Sequence, residues 1–131
     1  MDANALAKIA ERHGLALVVR FGSTVTGLTH PGSDIDLGIL FERVPVSLEA
    51  EVTAIADLQS LGQGRPVDVV VLNRADPLLL KQVSTRAVLE HGTERRFDAF
   101  RRYAFKRYQD HRRFLEMERA YVQRAVKATR R

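Results

Sequence analysis

The sequence predicts an α/β protein in which short strands alternate with helices and a long helix follows them. Two observations favour this fold. Over residues 3–92, apolar runs typical of buried strands are separated by stretches with helical periodicity. Over residues 94–127, apolar side chains that include Phe97, Phe100, Ala104 and Tyr108 recur at helical spacing.

The first part of the chain is predicted to contain a helix and two strands. Residues 3–13 form the helix, because Leu6, Ile9 and Ala10 share one face and Gly14 is suited to end it. The near-continuous apolar runs at 15–21 and 34–41 are strands. Between them, residues 23–28 are expected to form one or two helical turns, and residues 29–33 a turn.

Two further helices and two further strands are predicted over residues 47–90. Ser47 is suited to cap a helix over 47–61, and Asp76 followed by Pro77 is suited to begin another. Residues 66–72 form the third strand, and residues 86–90 a short fourth strand. The apolar stripe expected on the first of these helices consists of Leu48, Val52, Ile55 and Leu58 or Leu61.

Length and composition favour one domain over residues 1–131, with a core at about 15–92 and a basic helix at about 94–127. The chain has 131 residues and no cysteine, which excludes disulfides and thiolate metal sites. No apolar run approaches the roughly 20 residues that span a bilayer, and the first residues do not resemble a signal peptide. We therefore expect a cytoplasmic protein that makes no membrane contact.

Charge is unevenly distributed along the chain. Residues 94–131 carry 13 basic and 5 acidic residues, whereas residues 1–93 carry 8 basic and 11 acidic residues. Aromatic and basic residues interleave in the C-terminal part, a pattern also found on nucleic-acid-binding surfaces. A solvated amphipathic helix or a protein partner is the preferred interpretation, and we do not expect nucleic acid to bind.

Three aspartates lie within apolar runs that read as strands. Asp34 and Asp36 are two residues apart, so their side chains point to the same face, and Asp68 alternates with Val67 and Val69 in a later strand. An unpaired carboxylate is costly to bury, and Mg²⁺ prefers oxygen ligands. If the two strands are adjacent, the three carboxylates can hold one or two metal ions, and Asp68 can help deprotonate an attacking hydroxyl. The alternative is three unrelated surface carboxylates on an edge strand.

A candidate phosphate site precedes these aspartates. Gly22 lets the backbone approach a ligand closely, and Ser23 can donate a hydrogen bond at the start of a helical turn. Ser33, directly before Asp34, is also assigned to phosphate binding. Ser23 can alternatively be a helix cap alone. The combined pattern suits a nucleoside triphosphate that is attacked by a hydroxyl at its α-phosphorus, with loss of pyrophosphate.

Gly22-Ser23, ten intervening residues, Asp34-Ile35-Asp36 and the later Asp68 resemble the nucleotidyltransferase superfamily that includes DNA polymerase beta. The small size and the basic C-terminal helix resemble minimal nucleotidyltransferases of the MntA antitoxin family. The resemblance implies a mixed sheet flanked by helices, use of Mg²⁺ and ATP, and Asp34, Asp36 and Asp68 as metal-binding catalytic residues. It also implies AMP transfer to a tyrosine hydroxyl of a cognate HEPN ribonuclease toxin, which silences that toxin.

The sequence departs from the pattern of many relatives at one place. These relatives have G-S-R-A-R-G after the first strand, whereas this chain has Thr24 and Thr26 in place of the two arginines. The positive charge that the arginines bring to the phosphates is therefore missing from this turn. Two other functions remain open: nucleotidyl transfer to a small molecule, and neutralisation of a toxin by binding alone.

Overall fold

The computed structural model describes residues 1–22, 25, 34–45 and 47–130. Its elements, in chain order, are α1 (Ala3–His13), β1 (Leu15–Phe21), β2 (Ile35–Phe41), α2 (Leu48–Gln59), β3 (Val67–Val71), α3 (Pro77–Thr85), β4 (Val88–His91) and α4 (Glu94–Thr129). Short 3₁₀ turns, Ser60–Gly62 and Leu72–Arg74, lie on either side of β3. These bounds confirm the predicted strands and helices to within two residues, while the turns predicted over 23–28 and 29–33 fall outside the described residues, apart from Val25.

The four strands form one mixed sheet in the order β3-β2-β1-β4. β1 is antiparallel to both β2 and β4, and β2 is parallel to β3. In this register Asp36 is paired with Phe21 on one side and with Asp68 on the other. The expected mixed sheet is confirmed, and the strands that bear the aspartates are neighbours.

Helices cover both faces of the sheet, because successive strand side chains point to opposite sides. On one face α1 and α2 pack against a core that includes Leu6, Val18, Leu37 and Leu58. On the other face α3 and the start of α4 pack against a core that includes Leu17, Val19, Leu80, Val83, Phe97 and Phe100. The sheet is therefore the middle of three layers.

The helix ends follow the predicted capping residues. Gly14 ends α1 in the left-handed conformation with φ of 65°. The Ser47 hydroxyl accepts a hydrogen bond from the Ala50 N–H, and the Asp76 carboxylate accepts one from the Leu79 N–H at 2.9 Å. These three caps are as the sequence predicted.

The buried face of α2 differs from the predicted stripe. Leu48 and Val52 are exposed, whereas Glu51 is only 4% exposed and lies in line with the buried Ala54 and Leu58. Glu51 accepts a hydrogen bond from Arg74, and this contact raises the pKa of the Arg74 guanidinium. The prediction was wrong for Leu48 and Val52 because an ion pair, which an apolar pattern does not record, turns Glu51 toward the protein.

Only the first third of α4 packs against the sheet. Phe97, Phe100 and Ala104 are its buried residues, and Tyr108 is half-buried under the ammonium group of Lys81. None of the described helices, α4 included, combines the length and the apolarity needed to span a membrane. The long helix thus extends well beyond the sheet on which it begins.

Candidate active site

Asp36 and Asp68 lie side by side on the parallel strands β2 and β3. They are direct register partners, and neighbouring strands are about 4.8 Å apart. Both are one residue away from side chains of the α1–α2 core, Leu37 and Val67, so both point to the opposite face, which α3 and α4 cover. The sheet therefore brings together two of the three predicted carboxylates.

Asp34 lies directly before β2 and is exposed. Its neighbour Ile35 donates a backbone hydrogen bond to the Pro66 carbonyl at 2.9 Å, which ties the beginning of β2 to that of β3. Asp34 is also near enough to act electrostatically on Asp36. All three carboxylates thus lie at the same end of the two strands.

The electrostatics of the site reflect this crowding. Partial burial raises the pKa of Asp36 above its usual value, and the negative charges of Asp68 and Asp34 raise it further. A cation placed among the three groups would remove this repulsion. Mg²⁺ usually takes one or two carboxylates, and the remaining ligands are water and substrate phosphates, so these residues fit such an ion. Within the described residues, no three acidic or histidine side chains are already arranged as a complete metal-binding cluster.

Gly22 is required by the position of the Asp36 carboxylate. Gly22 has φ of +79°, and a Cβ built on it would overlap Asp36 Oδ2 and lie 3.1 Å from Asp36 Cγ. Its carbonyl accepts a hydrogen bond from the Val25 N–H at 3.1 Å, which begins a turn directly after β1. The sequence predicted that this glycine admits a ligand, and the structure adds that it makes room for Asp36. Ser23 and Ser33 lie outside the described residues.

A pocket of about 480 Å³ opens over Asp36. Its lining consists of Phe21, Gly22, Asp36, Gln82, Thr85 and Arg86. The last three come from the end of α3 and are not among the site residues predicted from the sequence. The local sequence of these three residues does not indicate a place in the site. The end of α3 lies at the site because β4, which follows it, pairs with β1. Arg86 brings a positive charge to a pocket whose strand residues contribute a carboxylate.

A groove with several cations adjoins this pocket at Thr85. It has a volume of about 540 Å³ and lies between α3 and α4, with Lys81, Arg101 and Arg112 among its lining residues. Arg101 is fixed by a hydrogen bond to the Ala87 carbonyl at 3.2 Å. The approach to the pocket along this side is therefore electropositive.

Chains with a similar fold are found in solved structures of toxin–antitoxin complexes. The chain is 27% identical to a chain of a toxin–antitoxin complex with AMP-PNP, covering 97% of this chain and 99% of that chain, with a TM-score of 0.72. A second similar structure is the MNT antitoxin in complex with the tri-AMPylated HEPN toxin of Shewanella oneidensis, at 25% identity, 95% coverage of both chains and a TM-score of 0.66. A third is a MntA–HepT toxin–antitoxin complex, at 25% identity, coverage of 95% and 96%, and a TM-score of 0.66.

The sequence also matches one protein family over most of its length. No curated protein sequence matches this chain significantly. The sequence model for the family described as "Nucleotidyltransferase domain" matches residues 3–122, which include every strand of the sheet and the three aspartates. This chain therefore belongs to the nucleotidyltransferase domain family.

Proposed function

We propose that this protein is an antitoxin that transfers AMP from ATP to a tyrosine hydroxyl of a partner HEPN toxin in the cytoplasm. Family membership supports nucleotidyl transfer. The similar solved structures are toxin–antitoxin complexes, one with a nucleotide analogue and one with an AMPylated toxin. The observation that carries the proposal is the register pairing of Asp36 with Asp68 beside Gly22.

The three carboxylates have different roles in the transfer of AMP. Asp68 accepts the proton of the attacking hydroxyl, whose oxygen then forms a bond to the α-phosphorus of ATP. The bond between the α-phosphorus and the bridging oxygen breaks, and pyrophosphate leaves. Asp34 and Asp36, together with Asp68, would hold Mg²⁺. When bound, Mg²⁺ supplies positive charge that offsets the negative charge developing on the phosphate oxygens.

The turn after β1 and the end of α3 bind the triphosphate. Gly22 offers close backbone approach, while Ser23 and Ser33 donate hydrogen bonds from their hydroxyl groups. Arg86 shares a pocket with Gly22 and Asp36 and supplies the positive charge that Thr24 and Thr26 do not. A guanidinium group can hold two phosphate oxygens at once, which fixes the orientation of the nucleotide.

The test uses the purified protein, the purified cognate toxin, Mg²⁺ and ATP labelled at the α-phosphate. We expect label on the toxin with the wild-type protein, and a loss of about 10²-fold or more with Asp36→Asn or Asp68→Asn. Asp98→Asn, which changes an exposed aspartate on α4, is the matched control and should label the toxin normally. Arg86→Ala should raise the KM for ATP more than it changes the KM for the toxin.

Two results would overturn the proposal. The first is an unlabelled toxin in a mixture where the wild-type protein still abolishes its ribonuclease activity. The second is neutralisation by Asp36→Asn that equals neutralisation by the wild-type protein, since that result assigns the effect to binding alone. Mass spectrometry of the labelled toxin identifies the modified side chain, and a group other than tyrosine would correct the acceptor.

A further inference from the structure

The outer part of α4 carries apolar side chains with no cover in the described part of the chain. Every residue from 112 to 130 is exposed. These residues include large apolar side chains whose exposed fractions are between 43% and 69%, namely Phe114, Leu115, Met117, Tyr121, Val122 and Val126. A rise of 1.5 Å per residue gives this segment a length of about 28 Å.

One row of these side chains continues the row that packs on the sheet. Eighteen residues make five full turns of an α-helix, so positions 18 residues apart have the same direction. The buried Phe97 and Ala104 are followed at that distance by Leu115 and Val122. The row thus runs from Phe97 and Ala104, which are covered by the sheet and α3, to the open Leu115 and Val122, with the half-buried Tyr108 and His111 between them.

A second row lies beside the first. Phe114, Met117 and Tyr121 follow one another at spacings of three and four residues, which places them on one face. The two rows are about 100° apart around the helix, and Glu118, four residues after Phe114 and four before Val122, lies between them. Together they form a band, defined here as Phe114, Leu115, Met117, Tyr121, Val122 and Val126.

Arginines border this band on both sides. Arg112 and Arg119 are three and four residues from Leu115, while Arg113 is four residues from Met117. Arg124, three residues after Tyr121, continues the second border. Residues 112–130 carry six basic and two acidic residues, so the rim of the band is positively charged.

The positive charge of the rim indicates which kind of molecule can bind to the band. A second copy of this chain would place arginines against arginines, which opposes association. Nucleic acid would match the charge, but stacking of bases needs aromatic rings, and four of the six side chains of the band are aliphatic or thioether groups. A protein surface with an apolar groove and acidic rims matches both the band and its border.

We infer that residues 112–130 are the docking helix of this protein, which lays the band into an apolar, acid-rimmed groove of the partner toxin. This inference rests on the proposed function, because the toxin is the acceptor in that reaction. The docking helix begins at the cationic groove, which adjoins the pocket over Asp36, so a docked toxin is held beside that pocket. Binding of the toxin and transfer of AMP therefore use different parts of the chain.

Binding of the full-length protein to purified cognate toxin, without nucleotide, tests the inference by isothermal titration calorimetry. Val122→Glu should weaken binding at least 100-fold, because docking would bury the added carboxylate against the apolar groove of the toxin. Gln123→Glu adds the same side chain one residue later, away from the band, and should change the dissociation constant less than threefold. Both positions are exposed, so thermal unfolding should be the same in the two variants.

A charge variant tests the complementarity of the rim. Arg119→Glu should slow association with the toxin about fivefold or more at low salt, since rim charges act mainly on the association rate. The difference from the wild-type protein should shrink as salt is added. An unchanged association rate at low salt would contradict the acidic rim of the groove.

The outcomes separate this inference from the proposed function. Toxin that binds tightly but receives no AMP removes the proposed function and leaves the docking helix in place. Equal binding of toxin by Val122→Glu and the wild-type protein overturns the docking helix, even if AMP transfer is intact. The docking helix is likewise overturned if the wild-type protein binds no toxin, or if light scattering shows that it dimerises through the band. It is also overturned if the band is needed for binding a 20-nucleotide single-stranded RNA and is not needed for binding the toxin.

Discussion

Replacement of Gly22 by alanine tests whether the backbone after β1 is shaped around the Asp36 carboxylate. Gly22 has φ of +79°, where a residue with a Cβ is strained by about 1–2 kcal/mol. For a domain of this size, each kcal/mol corresponds to about 3–5 °C in Tm. The added Cβ would also lie 3.1 Å from Asp36 Cγ and overlap Oδ2, where carbon atoms normally approach to about 3.5–4.0 Å. The carboxylate must therefore retreat by about 1 Å.

A displacement of that size has a large effect on a reaction that depends on position. We expect Gly22→Ala to reduce AMP transfer to the toxin about 100-fold, because a misplacement of about 1 Å costs this much in well-ordered sites. Single-turnover transfer with labelled ATP measures the loss, and differential scanning fluorimetry measures Tm.

Gly14→Ala is the matched control for this experiment. Gly14 also has a positive φ, of +65°, but a Cβ there meets no atom within 4 Å. It should lower Tm by the same few degrees through backbone strain alone and leave transfer unchanged. If Gly22→Ala transfers AMP within threefold of Gly14→Ala, the close packing of Gly22 on Asp36 has no catalytic role.

Three further predictions concern the carboxylates and the sheet. Asp36→Asn should raise Tm in metal-free buffer at neutral pH, because burial and the neighbouring carboxylates raise the pKa of Asp36 and disfavour its charged form in the folded protein. The gain should shrink as the pH falls through this raised pKa and should vanish below the ordinary pKa of an aspartate, where the carboxyl is protonated in the folded and the unfolded chain alike. A gain in Tm that persists below the ordinary pKa would contradict this cause. Mg²⁺ at ten times its dissociation constant should stabilise the wild-type protein by about 1.4 kcal/mol and should not stabilise the Asp36→Asn variant. Thermal unfolding with and without a chelator measures this difference. Equal shifts of Tm in the two proteins would mean that the ion binds elsewhere. Asn73→Ala should lower the free energy of unfolding by about 1–3 kcal/mol, because the Asn73 amide exchanges hydrogen bonds of 2.8 and 3.0 Å with the backbone of Phe41. Denaturant titration measures this loss, and an unchanged free energy of unfolding would contradict it.

The helices and strands were predictable because local patterns determine them. Apolar runs gave the four strands, and the caps at Gly14, Ser47 and Asp76 gave the ends of three helices. Side-chain alternation placed Asp36 on the side of β2 opposite Leu37, where the structure has it. Such features depend on residues close together in sequence, so a single chain is enough to predict them.

Features that depend on distant residues were not predictable in this way. The burial of Glu51 depends on Arg74, which is 23 residues away, and the pattern on α2 therefore misassigned Leu48 and Val52. Arg86 reaches the pocket only because β4 pairs with β1. Apolar side chains recur along the whole of α4, and only the structure shows that none beyond Ala104 is buried.

The position of β3 at the edge of the sheet decides what kind of acceptor the site can serve. Asp68 lies on this outermost strand and is exposed, so a hydroxyl group can arrive from outside the sheet together with the bulky molecule that bears it. An enclosed cleft excludes acceptors that are too large to enter it, whereas a site at an open sheet edge is accessible even to the surface of a folded protein. The choice of acceptor then depends on the surface that binds the acceptor outside the site. Changes in that surface alone can direct the same catalytic domain to another acceptor.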